Sequence, residues 1–376
     1  MTSMRDHQRP LSILHTESSL GWGGQEIRIL TEARGFLDRG HRVTLLTPRA
    51  APIFEAAGRQ GIPVVDIDIA KKRIPNLRAL YKWFKQNGAG IDVVNTHSST
   101  DAWLVALAGV LGLDLPPTVR TRHVSTPIHD NAPTRWLYRS ATQHIVTTGE
   151  ALRVQLHRDN GFALDRMTSV RTGIDLTRFA PLDKTAMRAK LGIAERPTLG
   201  ILATLRDWKG HHQLFDAMKQ LKPHFPAWQL LVVGGGPAWP ELQQRIVCEE
   251  MTDTIRMVGN QDNVPEWLCA LDIFVLPSYG SEGVPQGIMQ AMACGLPVVS
   301  TPVGAIREAV QEGTTGIITP AKDSNRLAQS LALLMSDDGL RTRYGTAGHS
   351  YAREHFGVDV MIDRMDSVFR AVLRTA

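Results

Sequence analysis

Residues 279–308 read YGSEGVPQGIMQAMACGLPVVSTPVGAIRE. A polar loop carrying one acid, Glu282, runs into apolar residues at helical spacing. The turn Cys294-Gly295-Leu296-Pro297 ends that helix, because Gly caps a helix and Pro cannot continue one. PVVST (297–301) then has the length and β-branched content of a buried strand. A second glycine, Gly304, opens another helix. Such alternation builds a parallel sheet covered by helices. It predicts two helix N-termini facing one cleft, each with unsatisfied N–H groups and a positive dipole end. That geometry suits a diphosphate, with Glu282 as the only nearby acid.

The pattern extends both ways along the chain. Strand candidates in the first half are 11–16, 42–48, 64–69, 92–98, 118–123, 144–149 and 169–174. In the second half they are 198–205, 229–235, 255–259, 273–278, 297–301 and 316–319. Helical segments such as Gln25–Arg39 and Asp101–Leu111 lie between them. At 376 residues the chain exceeds one ordinary core. GIDLTRFAPLDK (173–184) holds turn residues without periodicity and marks a linker. The reading is α/β, with domains at 1–178 plus 356–376, and at 179–355.

Hydrophobic content of 43% with 21% charge is that of a globular chain. No apolar run reaches the length of a spanning helix, and MTSMRDHQRP lacks the apolar core of a secretory leader. The three cysteines, Cys248, Cys269 and Cys294, have no metal spacing and read as core thiols. Together these features predict a reducing cytoplasm. Residues 1–180 hold 23 Lys and Arg against 16 Asp and Glu, and the remainder 19 against 21, so the first half is the basic one. The segment 71–86, KKRIPNLRALYKWFKQ, sets cations on one helical arc and Leu77, Leu80, Tyr81 and Phe84 on the other. A helix of that kind can dock on anionic lipid or pack its apolar arc on a sheet.

Several positions could carry chemistry. Gly23-Gly24 follows the first strand and precedes a helix, where backbone can approach a ligand; by itself such a pair reads more readily as a plain tight turn. Arg206 and Lys209, in ATLRDWKGHH (203–212), occupy a strand-to-helix loop and could neutralise a diphosphate. His123 ends TVRTRH between basic neighbours Arg120 and Arg122. VVGGGP (232–237) brings Gly234 and Gly235 to the end of a strand. Asp66-Ile67-Asp68 has the D-x-D form of a metal–diphosphate motif, but it lies in an alternating run and reads as one strand face. No metal is expected.

The stretch 282–299 resembles the donor signature of glycosyltransferase family 4: Glu, seven residues, a second Glu, then A-M-A-C-G-x-P-V-V. Glu282 stands first, Gln290 replaces the second Glu, and Ala291–Val299 follow the tail. Gly23-Gly24-Gln25-Glu26 with Gly40-His41-Arg42-Val43 resembles the family opening, and Thr172-Gly173-Ile174-Asp175 with Phe179-Ala180-Pro181 its linker. Lys209 matches the Lys of the family's G-R-L-x-x-x-K-G, whose Arg falls on Thr204, leaving Arg206 as a substitute.

The resemblance implies a GT-B fold, with two Rossmann-like doubly wound domains facing a cleft and a terminal helix crossing back to the first. It implies a retaining hexosyltransferase using a nucleotide-sugar donor, with no further cofactor. Glu282, His123, Lys209 and Arg206 would act at the sugar and diphosphate. Gly23, Gly24, Gly234, Gly235, Val258, Val284, Gln286, Gly287 and Gln290 would hold the nucleotide, with Gln290 at the ribose. Similar members build bacterial surface polysaccharide or lipopolysaccharide, which implies a glycan or lipid-linked acceptor, peripheral contact with an anionic membrane, and no nucleic acid. A nucleotide-sugar epimerase of the same fold and a non-catalytic binder are the rivals. A dinucleotide-dependent redox enzyme lacks its fingerprint glycines here.

Overall fold

Each strand pairs in parallel with its neighbours, and the strands form two sheets. The structure, a computed structural model, describes residues 9–123, 126–280 and 282–375. The first sheet contains β1 (Ser12–Thr16), β2 (Arg42–Thr47), β3 (Val64–Asp66), β4 (Val93–Thr96), β5 (Thr118–Arg122), β6 (His144–Thr147) and β7 (Met167–Ser169). Its order is β3-β2-β1-β4-β5-β6-β7. The second contains β8 (Thr198–Leu202), β9 (Gln229–Val233), β10 (Ile255–Gly259), β11 (Ile273–Leu276), β12 (Val298–Ser300) and β13 (Gly316–Ile318), in the order β10-β9-β8-β11-β12-β13. Both sheets reverse their order beside their first strand, between β1 and β4 and between β8 and β11. Two doubly wound, Rossmann-like domains are therefore present, as the sequence predicts.

The chain divides into one unit of Met1–Gly173 with Val358–Ala376 and another of Ile174–Gly357. The sequence reading put the crossings at 178/179 and 355/356. They fall elsewhere because the Ile174 N–H donates to the Phe356 carbonyl at 2.6 Å. The Ile174 side chain also joins the core of the second unit. β7 likewise differs from the expected 169–174. From Val170 the chain leaves the sheet: the Val170 carbonyl accepts from Arg28 Nη1, and the Gly173 N–H meets Met361 Sδ.

Alternation along each strand feeds two faces. Ile13 packs in a core with Ile29, Ala33 and Phe36 of the helix Gly24–Asp38 and with Met361, Ile362, Met365 and Phe369 of the helix Val358–Thr375. Leu14 points the other way, to Leu80 and Phe84 of the helix Ile74–Asn87. The terminal helix thus belongs to the first unit, and apolar burial holds it there at about 1.5–3 kcal/mol per fully buried side chain. Its ion pairs from Arg39 to Asp359 and Asp363 involve carboxylates 92% and 71% exposed. Exposed pairs of that kind contribute little.

The helix Ile74–Asn87 buries its apolar arc, while Lys71, Lys72, Arg73, Arg78, Lys82 and Lys85 are exposed. Asp66 ends β3 and accepts the Arg49 N–H, whereas Asp68 accepts the Ala70 N–H. Both carboxylates serve local turns, so the D-x-D is structural without being one continuous strand face. Cys269 and Cys294 are buried, but Cys248 is exposed and is not a core thiol.

Phe369 is fully buried beside Phe36, with ring centroids 5.4 Å apart. Phe369→Ala is expected to cost about 3–5 kcal/mol in a urea titration. Val247→Ala, at a side chain 61% exposed, should stay within about 0.5 kcal/mol.

Candidate functional site

In open parallel sheets the loops leaving the strands that flank the order reversal form a crevice. In the second unit these are the loops after β8 and β11. Lys209 closes a 3₁₀ turn, Asp207–Lys209, and its Nζ reaches Glu282 Oε1 at 2.7 Å. Ser278 Oγ donates to the same oxygen at 2.7 Å. Both side chains of the ion pair are largely buried, at 19% and 10% exposure. The neighbouring loops are also tied by backbone, since the Tyr279 N–H donates to the Trp208 carbonyl at 2.7 Å.

Two glycines make this closeness feasible. Gly210 has φ +81°, and a Cβ there would lie 2.1 Å from the Pro277 carbonyl oxygen. Gly304 has φ +57°, and its Cβ would lie 2.0 Å from the Glu282 carbonyl oxygen. Both are left-handed positions that suit glycine. The Ala305 N–H donates to that Glu282 carbonyl, which fixes the loop that bears the acid.

The helix that follows Glu282 spans Gln286–Ala293, with Pro285 as its cap. Its first turn offers N–H groups outside the helical ladder. Gln286 and Gln290 are four residues apart and share a face. The expected second helix after Gly304 is only a 3₁₀ turn, Ile306–Glu308, so one helix N-terminus stands there and not two. Arg206 is exposed, and its guanidinium lies over the Trp208 ring at 5.0 Å. Among the described residues no ion pair joins that guanidinium to Glu282.

Gly234 and Gly235 follow β9, but the Cβ side of each meets protein. A Cβ on Gly234 would lie 2.1 Å from the Ala203 carbonyl oxygen, and one on Gly235 3.0 Å from Asn260 Nδ2. These glycines let the loops after β8, β9 and β10 pack together. Gly287 similarly lets its helix approach the Leu202 carbonyl, at 3.0 Å from a built Cβ. Val258 lies on β10, half-buried, and Val284 is buried in the core. Asp207, His212 and Glu241 bring ligand atoms within 4.8 Å of one another, with both acids exposed; their sequence spacing did not mark them.

The first unit places different chemistry at its own reversal, between β1 and β4. Glu17 follows β1 and accepts from Gln25 Nε2 at 2.5 Å, Ser98 Oγ at 2.6 Å and the Ser19 N–H at 2.6 Å. Asp101 accepts from Thr16 Oγ1 at 2.7 Å and from the His97 and Ser98 N–H groups. Burial raises the Glu17 carboxyl to about 7, with Asp101 adding repulsion, and raises Asp101 to about 6. Gly23 caps the helix Gly24–Asp38 with φ −177°. Any residue adopts that backbone, so its conformation alone does not require glycine.

Three histidines end three adjacent strands. His15 Nδ1 lies 2.8 Å from His97 Nε2, and His97 Nδ1 lies 2.9 Å from His123 Nε2. Burial holds all three below the usual imidazole range, His15 at about 3, and the nearby Arg28 charge adds to this. The chain is therefore neutral at pH 7, and each contact carries one proton. His15, His97, Glu17 and Asp101 were not singled out from sequence. The signal was present, because 11–16, 92–98 and 118–123 each carry a His at or near the strand end.

Two family models match the chain: one described as Glycosyltransferase Family 4 over residues 22–178, and one as Glycosyl transferases group 1 over 196–337. The lipopolysaccharide core biosynthesis mannosyltransferase LpsB of Rhizobium meliloti is 29% identical over 357 residues, covering 91% of this chain and 97% of that protein. A glycosyltransferase of Rickettsia africae superposes with a TM-score of 0.87 at 18% identity, over 98% of this chain and all of that one. Anabaena HepE, solved with UDP, gives 0.84 at 20% identity, over 96% of this chain and all of that one. At these identities the structural likeness establishes the fold.

His15 Nε2 is buried without a hydrogen-bond partner among the described residues. If the protons run outward along the chain, that nitrogen is a bare lone pair, which the Arg28 cation favours. If they run inward, an N–H is stranded there, and orphaned buried N–H groups are rare. Outward order puts the His123 proton on Nδ1. Ring ¹⁵N NMR should find Nδ1 protonated and Nε2 bare; the reverse assignment would contradict this account.

Proposed function

Because the chain belongs to glycosyltransferase family 4, whose members take sugar from a nucleotide donor, we propose that it transfers a hexosyl unit with retention to a lipid-linked or glycan acceptor in bacterial surface polysaccharide or lipopolysaccharide assembly. The Lys209–Glu282 pair at the reversal of the second sheet carries this reading. The extended similarity to LpsB supports the acceptor class.

In this reading the second unit binds the donor. As the bond from the anomeric carbon to the diphosphate oxygen breaks, negative charge grows on the leaving group. Lys209 and the first turn of the helix Gln286–Ala293 stabilise that charge, and no metal is needed. The sugar gains oxocarbenium character, and Glu282, oriented by Lys209 and Ser278, holds its hydroxyls. The acceptor hydroxyl forms the new bond to the anomeric carbon, and its proton leaves with the diphosphate. Gln290 meets the ribose through its carbonyl and amide. His123, in the first unit, meets the transferred sugar. Arg206, over the Trp208 ring, keeps the edge of its guanidinium for an anion.

Membrane contact belongs to the same proposal. Among the described residues no helix is long and apolar enough to cross a membrane. The exposed cations at Lys71, Arg73 and Arg78 suit the surface of an anionic bilayer, at about 1 kcal/mol each.

Lys209→Ala should lower kcat/KM at least about 30-fold, or about 2 kcal/mol, and Glu282→Gln should remove most transfer while the protein still folds, at some cost in urea stability because Lys209 loses its counter-charge. Wild-type turnover by Glu282→Gln would remove the acid from its role, and loss of activity on chelation would contradict metal-free transfer. Gln290→Glu should tighten nucleotide binding or leave it unchanged, because charge-assisted hydrogen bonds are about twice as strong. A large loss would show a site rebuilt around the amide. Co-sedimentation with anionic vesicles should fall with salt and with Lys71, Arg73 and Arg78 changed to Ala. No binding at low salt would favour a soluble acceptor.

A further inference from the structure

The first unit contains a cavity of about 510 Å³ whose charge is one-sided. Lys72, Arg120 and Arg122 line it, beside His123, Trp103 and Tyr138, and no described Asp or Glu does. Arg120 is 4% exposed and Arg122 8%. Among the described residues no carboxylate lies within ion-pair distance of either. Arg122 spends its Nη atoms on the Tyr138 hydroxyl, at 3.1 Å, and the Thr126 carbonyl. Arg120 Nη1 has no hydrogen-bond partner, and its guanidinium lies over the Tyr138 ring at 4.5 Å. The third cation, Lys72, is exposed and stands over the Trp103 ring at 5.8 Å.

A buried guanidinium without an anion is costly. Desolvation takes several kcal/mol from each ion, and only a well-placed counter-charge restores it. The carboxylate whose charge acts on Arg120 is Asp101. It is already occupied by Thr16 and two backbone N–H groups, and its own carboxyl is raised to about 6 by burial. The cation–π contact with Tyr138 offsets part of the cost. Among the described residues no carboxylate pairs with Arg120 to offset the remainder.

We propose that this cavity is an oxyanion site: Arg120, Arg122 and Lys72 hold a phosphate or carboxylate carried by the acceptor. The proposal rests on the transferase reading for the word acceptor, but the anion site stands on its own residues. A planar fork matches either group bidentately, and Lys72 adds a third charge at the open side. Trp103, half-buried in the same lining, supplies an apolar surface beside which a sugar ring or lipid-proximal group can lie. The acceptor would then be recognised by its charge in the first unit, independently of the nucleotide held by the second.

The test uses the full chain and two probes, inorganic phosphate and D-glucuronate, read by thermal shift. A nucleoside diphosphate serves as a separate report on the second unit. At least one probe should raise Tm, since a ligand of the folded state stabilises it by mass action. Phosphate alone identifies a phosphorylated acceptor, and glucuronate alone a carboxylated one. Lys72→Met should cut that shift at least about threefold, while leaving the nucleotide shift unchanged. Arg120→Met should abolish it and leave the unliganded protein as stable as wild type or more so, because a buried charge without a partner has been removed. That last result is not expected of a purely structural arginine. Equal shifts in wild type and Lys72→Met, no shift with either probe at tens of millimolar, or a destabilised Arg120→Met would each overturn the proposal. A probe shift without any nucleotide shift would instead defeat the transferase reading and leave the anion site standing.

Discussion

The ion pair between Lys209 Nζ and Glu282 Oε1, 2.7 Å apart, organises the second unit. It joins the loops leaving β8 and β11, the two strands beside which the sheet changes direction. Neither charge is well hydrated, so losing one partner would leave the other buried and uncompensated. The surrounding sequence serves this constraint. Gly210 and Gly304 admit carbonyls that a side chain would exclude, and Ser278 takes a second bond to the same carboxylate oxygen. The helix Gln286–Ala293 then begins four residues beyond the acid. A cation, an anion and a helix N-terminus are thereby held together by backbone packing.

The first sheet uses the equivalent place differently. Its carboxylates, Glu17 and Asp101, are buried together and pushed upward, and the three imidazoles beside them are pushed downward. The result is a hydrogen-bonded polar centre in which the imidazoles are neutral and the carboxyls ionise at higher pH than usual. Positive charge enters one strand further along, through Arg120 and Arg122. Cations of the basic half thus include an exposed helical arc over 71–85 and the buried guanidiniums of Arg120 and Arg122.

Much of this was legible in the residues. Short β-branched runs separated by amphipathic segments determine parallel sheets, and the interval around Gly173 marks the change of unit within a few residues. Lys209 and Glu282 stood out by type and position, and the fold brings them into contact. What could not be read were contacts set by topology. His15, His97 and His123 become neighbours only because β1, β4 and β5 lie side by side, and Glu17 meets Ser98 across 81 residues for the same reason. Arg206 looked suitable by charge, yet Trp208 offers its guanidinium a nearer face. Gly234 and Gly235 have a packing reason to be glycine that their spacing did not show, since a Cβ on either would meet a neighbouring loop. The expected helix after Gly304 shortened to one turn, as Thr315 Oγ1 accepts the Gln311 N–H and begins the approach to β13.

The central claim is that the Lys209–Glu282 site receives the diphosphate of the donor. A crystal structure of the chain with the nucleoside diphosphate that stabilises it most would test this directly. The account predicts a β-phosphate oxygen within about 3 Å of Lys209 Nζ, with the N–H groups at the start of the helix Gln286–Ala293 turned toward the phosphates. A diphosphate bound elsewhere, with Lys209 engaged only by Glu282, would contradict it.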